Sequence, residues 1–161
     1  MAVKIYPLER IQQFNHPIDK VFQFFSSPDN LAVITPGKME FQLMTPTPIT
    51  MSEGRLIDYT VKIFGVRIRW RSLITFYHTS SEFIDEQVLG PYSFWHHRHR
   101  FQEFDQGTLM TDTVTYAMPF GFLGRFVHWS IVRGQLDSIF TYREQKLEEF
   151  FSQTISEGVN T

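Results

Sequence analysis

Residues 94–101 read Phe-Trp-His-His-Arg-His-Arg-Phe. In an extended strand this alternation gathers Trp95, His97, His99 and Phe101 on one face. A strand that only seals a core carries Val, Ile or Leu there, so two imidazoles among aromatic rings point to a cavity that meets a polar or ligand surface. Residues 110–116 supply the second half, with Met110, Asp112, Val114 and Tyr116 alternating onto one face. If Glu103 to Thr108 closes a hairpin with an even-numbered loop, Trp95 stands across from Tyr116 and His99 across from Asp112. A three-residue loop would break that register.

A carboxylate beside an imidazole holds its tautomer and raises its basicity, which is half of a general-base arrangement. The same pair is equally a structural bridge between two strands, because an unpaired buried polar group costs roughly 1–3 kcal/mol. His97, His99 and Asp112 could also offer three ligands to a zinc-like ion. The set lacks a fourth ligand unless the strand carrying Asp85 lies alongside, so neither a metal nor a cofactor is expected. Asp85 and Gln87 share a strand face with Phe83 and read as a hydrogen-bonded pair at the cavity end, or as readers of a ligand hydroxyl or carbonyl. His96 falls on the opposite face with Arg98 and Arg100, toward solvent. Nucleophilic catalysis finds no support: there is no cysteine, no Gly-x-Ser-x-Gly elbow and no phosphate-cradling glycine loop.

The elements that must position these residues follow from hydrophobic period and turn chemistry. Val3 to Phe14 reads as a first strand, with Pro7 marking an edge position or bulge. A helix follows, capped by Asn15 or His16, with Pro17 in its first turn and Ile18, Val21, Phe22 and Phe25 as its apolar stripe. Ser27-Pro28-Asp29 opens a second short helix that buries Leu31 and Ile34 and stops at Pro36-Gly37. Strands are expected at 39–45, 55–64, 66–77, 82–89, 93–104 and 108–118, in an antiparallel meander. The turn at Phe64-Gly65 would pair Ile57, Tyr59, Val61 and Ile63 with Ser72, Trp70, Ile68 and Val66. Lys62, Arg67, Arg69 and Arg71 then lie on the outer face. From Phe122 to Phe151 the period becomes helical, with Phe126, Trp129, Val132, Leu136, Ile139, Phe140, Leu147 and Phe150 on one stripe about 45 Å long. Gly134, costly mid-helix, is expected where a strand or ligand comes close. Residues 1–151 thus form one domain, and 152–161 a polar, flexible tail.

Composition narrows the class. With 161 residues, 42% hydrophobic, 16% aromatic and no cysteine, the chain is long enough for a sizeable core without disulfides. Its net charge of −2 disfavours a nucleic-acid binder that tracks phosphates. The first ten residues lack a signal core and no apolar run reaches membrane-spanning length, so a cytoplasmic protein is expected.

One strand, two short helices, a meander and a long C-terminal helix is an order similar to the helix-grip fold. That fold is shared by START lipid-transfer domains, plant pathogenesis-related allergens and bacterial polyketide cyclase/dehydrase-like proteins (the SRPBCC superfamily). Phe24-Phe25, Asn30-Leu31, Thr35-Pro36, Gly54, Asp58-Tyr59, Gly65, Trp70, Phe83 and Asp85-Glu86-Gln87 resemble a bacterial, ligand-binding branch of it. So do Gly90-Pro91, Trp95, His97, His99, Phe101, Gly107-Thr108, Asp112, Val114, Tyr116 and Pro119. The resemblance implies an α+β fold whose curved sheet is crossed by the long helix.

The expected function is binding of a small, largely apolar molecule, aromatic, lipid-like or polyketide-like, between sheet and helix. Tyr59, Trp70, Trp95 and Tyr116 would form walls, with Gly134 on the helix side. Asp85, Gln87, His97, His99 and Asp112 would orient the polar end. The alternatives are a cofactor-independent cyclase, dehydratase or isomerase using His99 and Asp112, and a module that docks on a protein or membrane surface through Arg67, Arg69, Arg71 and the 120–124 segment.

Overall fold

The computed structural model describes residues 3–158 apart from Gln106. Seven strands form one antiparallel sheet: β1 Ile5–Phe14, β2 Gln42–Leu43, β3 Leu56–Ile63, β4 Val66–His78, β5 Glu82–Leu89, β6 Phe94–Phe104 and β7 Gly107–Ala117. Their order across the sheet is β1-β7-β6-β5-β4-β3-β2. Helix α1 (Ile18–Phe25) follows β1. The helices α2 (Gly121–Val127) and α3 (Arg133–Gly158) follow β7, joined by a π turn at His128–Val132. This is the helix-grip fold, α+β, and α3 supplies the side chains that close the concave face.

The central register matches expectation. Phe104 stands opposite Gly107, an even closure, and Trp95 pairs with Tyr116 and His99 with Asp112. Across the Phe64-Gly65 turn, Tyr59 pairs with Trp70 and Ile57 with Ser72. The turn needs left-handed backbone at both positions, φ 49° at Phe64 and 79° at Gly65, and glycine supplies the second without strain. Pro7 does lie on an edge strand, since β1 pairs only with β7.

Four expectations are corrected. Neither Asn15 nor His16 caps α1: Pro17 occupies the cap position, and the buried His16 ring instead donates from Nε2 to the Phe151 carbonyl at 2.8 Å, tying α1 to α3. The second helix is a 3-10 turn, Pro28–Ala32. The strand expected over 39–45 shrinks to two residues, because a 3-10 turn at Gly37–Met39 ends with Glu40 in left-handed backbone. The stripe of the last helix is also displaced.

That displacement has a geometric cause. The inward residues are Gly124, His128, Val132, Leu136 and Phe140. They recur every four positions, whereas an α-helix turns in 3.6, and the wider π turn takes up part of the drift. Phe126 and Trp129, expected inside, are therefore exposed, and Phe151 rather than Phe150 is buried. The helix continues to Gly158, beyond the Phe151 expected to end it. Of the expected tail, residues 159–161 lie outside the described residues.

The concave face carries two apolar clusters. One gathers Phe14, Val21, Phe22, Phe24, Phe83, Phe101, Met110, Leu147 and Phe151. The other gathers Trp70, Trp95, Val114, Tyr116, Val132, Leu136 and Phe140. Between them on the strands lie Asp85, His97, His99 and Asp112, so a polar belt crosses an apolar floor. On the outer face the basic row is largely paired: Arg71 forks onto Asp58 at 2.8 and 2.9 Å, while Lys62 and Arg67 share Glu40.

Candidate functional site

Alternation on β3 to β6 aims Ile57, Tyr59, Val61, Trp70, Ser72, Ile74, Asp85, Trp95, His97 and His99 at one space between sheet and helix. Leu136, Ile139, Phe140 and Arg143 of α3 close it, with Phe24, Leu31 and Ile34 from the α1 region. The cavity offers about 160 Å³ to the centres of water-sized molecules. One water needs roughly 10–15 Å³ on that measure, so the space holds on the order of ten waters or a ligand of similar bulk.

One wall is aromatic. Tyr59 stacks on Trp70 with centroids 5.9 Å apart, and Trp70 meets Trp95 edge to face at 5.3 Å. Tyr92 adds a third large ring, 4.8 Å from Trp95. Burial, with the Asp85 charge nearby, pushes the Tyr59 hydroxyl above the ordinary phenol range, so it stays a neutral donor.

The polar belt is a closed exchange between two imidazoles and two carboxylates. His97 Nε2 lies 3.0 Å from Asp112 Oδ1, and His99 Nε2 lies 2.9 Å from Asp85 Oδ2. His99 Nδ1 is 2.8 Å from Asp112 Oδ1 but off the direction a hydrogen bond needs, leaving that atom without a hydrogen-bond partner. His97 Nδ1 is 3.6 Å from Asp85 Oδ2. The expected His99–Asp112 pair is kept as an ion-pair contact, and two crossed hydrogen bonds that were not expected join it, His97 to Asp112 and His99 to Asp85. The cause is that β5 lies beside β6, with Asp85 opposite His97 and Phe83 opposite His99.

The charges within this belt differ. Burial alone would pull His99 down, but Asp112 and Asp85 outweigh it and hold its pKa up at about 9. Burial and the neighbouring positive His99 push His97 below the usual imidazole range. Burial would raise both carboxyls; the imidazoles outweigh it and hold Asp112 and Asp85 below the usual carboxylate range. The belt therefore holds two carboxylates, one imidazolium and one neutral imidazole. Ring packing holds it in place: His99 stacks on Phe83 at 4.2 Å and lies tilted against His97 at 3.8 Å.

Six of the sequence-derived candidates line the cavity: Tyr59, Trp70, Asp85, Trp95, His97 and His99. Four do not. Asp112 stands behind the imidazoles. Gln87 spends its amide on the turn before β6, donating to the Tyr92 carbonyl at 2.8 Å and accepting from the Tyr92 N–H at 3.2 Å. The Tyr116 hydroxyl pairs with His128 Nε2 at 2.8 Å, because both face each other under the start of the last helix. Gly134 is exposed, and a Cβ there would meet nothing, so the close approach expected of it is absent.

Arg143 was missed by sequence reasoning. Its guanidinium lies 4.9 Å over the Phe140 ring, its Nε is buried, and it makes no hydrogen bond or ion pair among the described residues. The signal was present, since Leu136, Phe140, Arg143 and Leu147 share helical spacing, yet an arginine inside an apolar stripe reads by default as a solvated neighbour.

Chemically, the belt is committed to itself. Asp85, His97 and His99 bring one potential ligand atom each within 4.8 Å of one another. The same nitrogens already face carboxylates, and a metal would have to displace the proton on His99. A general base needs a nitrogen with a lone pair open to substrate. Both Nε2 atoms are bonded to carboxylates, which leaves Nδ1 of the neutral His97, 3.6 Å from Asp85, as the nitrogen not held by a hydrogen bond.

No family model matches the chain, and no curated protein does. Solved structures share its fold. Ms6760 from Mycobacterium smegmatis superposes with a TM-score of 0.68 at 16% identity, over 96% of this chain and 98% of that one. The major latex-like protein 151 from Panax ginseng gives 0.67 at 13%, over 91% and 97%. The di-domain ARO/CYC StfQ from the steffimycin biosynthetic pathway gives 0.71 at 12%, covering 94% of this chain and 52% of that one.

Proposed function

We propose that this helix-grip protein binds a small, largely apolar molecule in the cavity between its sheet and α3. The observation that carries this reading is a space of about 160 Å³ lined mainly by aromatic and aliphatic side chains, with few polar groups set among them, Asp85, His97, His99 and Arg143 foremost. Tyr59, Trp70, Tyr92 and Trp95 offer flat walls for rings. Asp85, His97, His99 and Arg143 offer polar contacts for one end. The fold likeness to StfQ and the ginseng protein agrees with a cavity of this kind without naming its occupant. Binding is preferred to a cyclase-like proton transfer by His99 and Asp112, because His99 is held protonated between two carboxylates and Asp112 stands behind the imidazoles, outside the cavity lining.

Native mass spectrometry of freshly purified protein tests this. The expected result is an added small-molecule mass that disappears when the protein is denatured. A protein recovered at its bare mass, and whose melting temperature no apolar compound of fitting size raises, would overturn the reading.

A further inference from the structure

The two ends of the sheet differ in kind. Strand direction alternates, so the β3–β4 turn, the β5–β6 turn and the exit from β7 share one end. The start of β1 joins them, with Ile5 opposite Ala117. Apolar side chains are bare at this end: Phe64 in the first turn, Phe94 after the second, and Phe120, Phe122, Phe126 and Trp129 along α2 and the π turn. The last four are 82, 70, 65 and 78% exposed. A soluble monomer rarely leaves rings this large clustered and uncovered.

Charge at the same end has one prevailing sign. No Asp or Glu occurs between Asp112 and Asp137, nor between Asp58 and Glu82, nor between Glu86 and Glu103. The first of these gaps holds Arg125, His128 and Arg133. Lys4 and Arg133 both act on buried His128, lowering its proton affinity along with burial, which places the two cations beside the start of the helix. The acids that reach this end are already engaged: Glu40 is shared by Lys62 and Arg67, and Asp137, whose charge reaches Tyr116, is bonded to Arg10.

Aromatic rings within a rim of cations match the interface of an anionic bilayer, where rings sit at headgroup depth and basic groups meet lipid phosphates. A second copy of the chain fits less well, because a two-fold pairing would set the same cations against each other. No described helix is long and apolar enough to cross a membrane, so contact would be with the surface layer. We infer that this end of the molecule docks on an anionic lipid surface, inserting Phe122, Phe126 and Trp129 at headgroup depth with Lys4 and Arg133 among the phosphates.

Trp129 makes the test direct, since the other two tryptophans, Trp70 and Trp95, are buried. Flotation would use phosphatidylcholine vesicles with and without about 30% phosphatidylserine. Binding is expected on the anionic vesicles, falling at least roughly tenfold between about 0.05 and 0.5 M salt. Brominated lipid should quench part of the tryptophan emission. The double variant Phe126→Ser/Trp129→Ser should lose binding roughly tenfold at unchanged melting temperature, while Phe104→Ser, at the opposite end, should bind as before. Three results would overturn the inference: equal binding to pure phosphatidylcholine, unchanged binding by the double variant, or no flotation together with a concentration-dependent dimer that the double variant dissolves.

Discussion

His97 and His99 sit two residues apart on one strand face, yet their surroundings drive their protons in opposite directions. His99 is raised to about 9 from an ordinary value of 6.5, so it binds a proton more tightly folded than unfolded. Its contribution to stability is complete below about pH 6.5 and is lost as pH climbs through 9. His97 is lowered, so its contribution is present above about pH 6.5 and fades as pH falls below it. Urea denaturation across pH 5 to about 9.5 should therefore give a maximum near neutrality, each limb falling by at most about 1.4 kcal/mol per pH unit. His99→Gln should flatten the alkaline limb and, by removing the positive neighbour that helps hold His97 down, make the acid limb shallower as well. A wild-type curve that keeps rising to pH 9 would show that His99 is neutral in the folded state and that the belt is assigned wrongly.

The last helix is read best through its glycines. Gly134 sits on an exposed face of α3 where an added Cβ meets nothing and the backbone is helical, so Gly134→Ala should stabilise by roughly 0.5–1 kcal/mol. A Cβ on Gly124 would collide with the Pro119 carbonyl, so Gly124→Ala must push α2 away from the strand exit and should destabilise. Thermal unfolding of the two variants checks both signs, and a stabilising Gly124→Ala would mean that α2 is not packed against Pro119. Alternation is a strong signal on β6 and β7, whose inward residues were legible and whose register followed once the closing loop proved even; the crossed bonds of His97 to Asp112 and His99 to Asp85 were not legible, because they need β5 alongside. The helix was harder, because Phe126 and Trp129 fit an ideal 3.6 period and a π turn has no sequence mark of its own. The short strand at 42–43 was overdrawn for a similar reason: nothing in the residue types of 39–45 announces the left-handed Glu40. Tyr116 and Gln87 were read as cavity residues, whereas they stand outside its lining and bond His128 and the Tyr92 backbone, partners from segments whose approach local periodicity does not specify.

At the scale of the whole molecule, the cavity and the aromatic end are two separate apolar surfaces that a hydrophobic compound could reach, and linkage distinguishes them. A compound that fills the cavity binds the folded chain alone and should stabilise it by RT ln(1 + [L]/Kd), about 2.7 kcal/mol at a hundredfold excess over Kd. Denaturation midpoints measured against free ligand concentration should rise logarithmically, and the Phe126→Ser/Trp129→Ser protein should rise with the same slope. A gain that vanishes in that variant would place the compound on the outer face instead. The sheet's two margins add a constraint of another kind. β2 offers a newcomer only two residues of backbone, and β1 carries Pro7, which lacks the N–H a neighbouring strand would use. Another chain thus finds almost no main-chain template along β2 and one interrupted at Pro7 along β1, which works against strand-by-strand growth when the bare rings at one end meet foreign surfaces through their side chains.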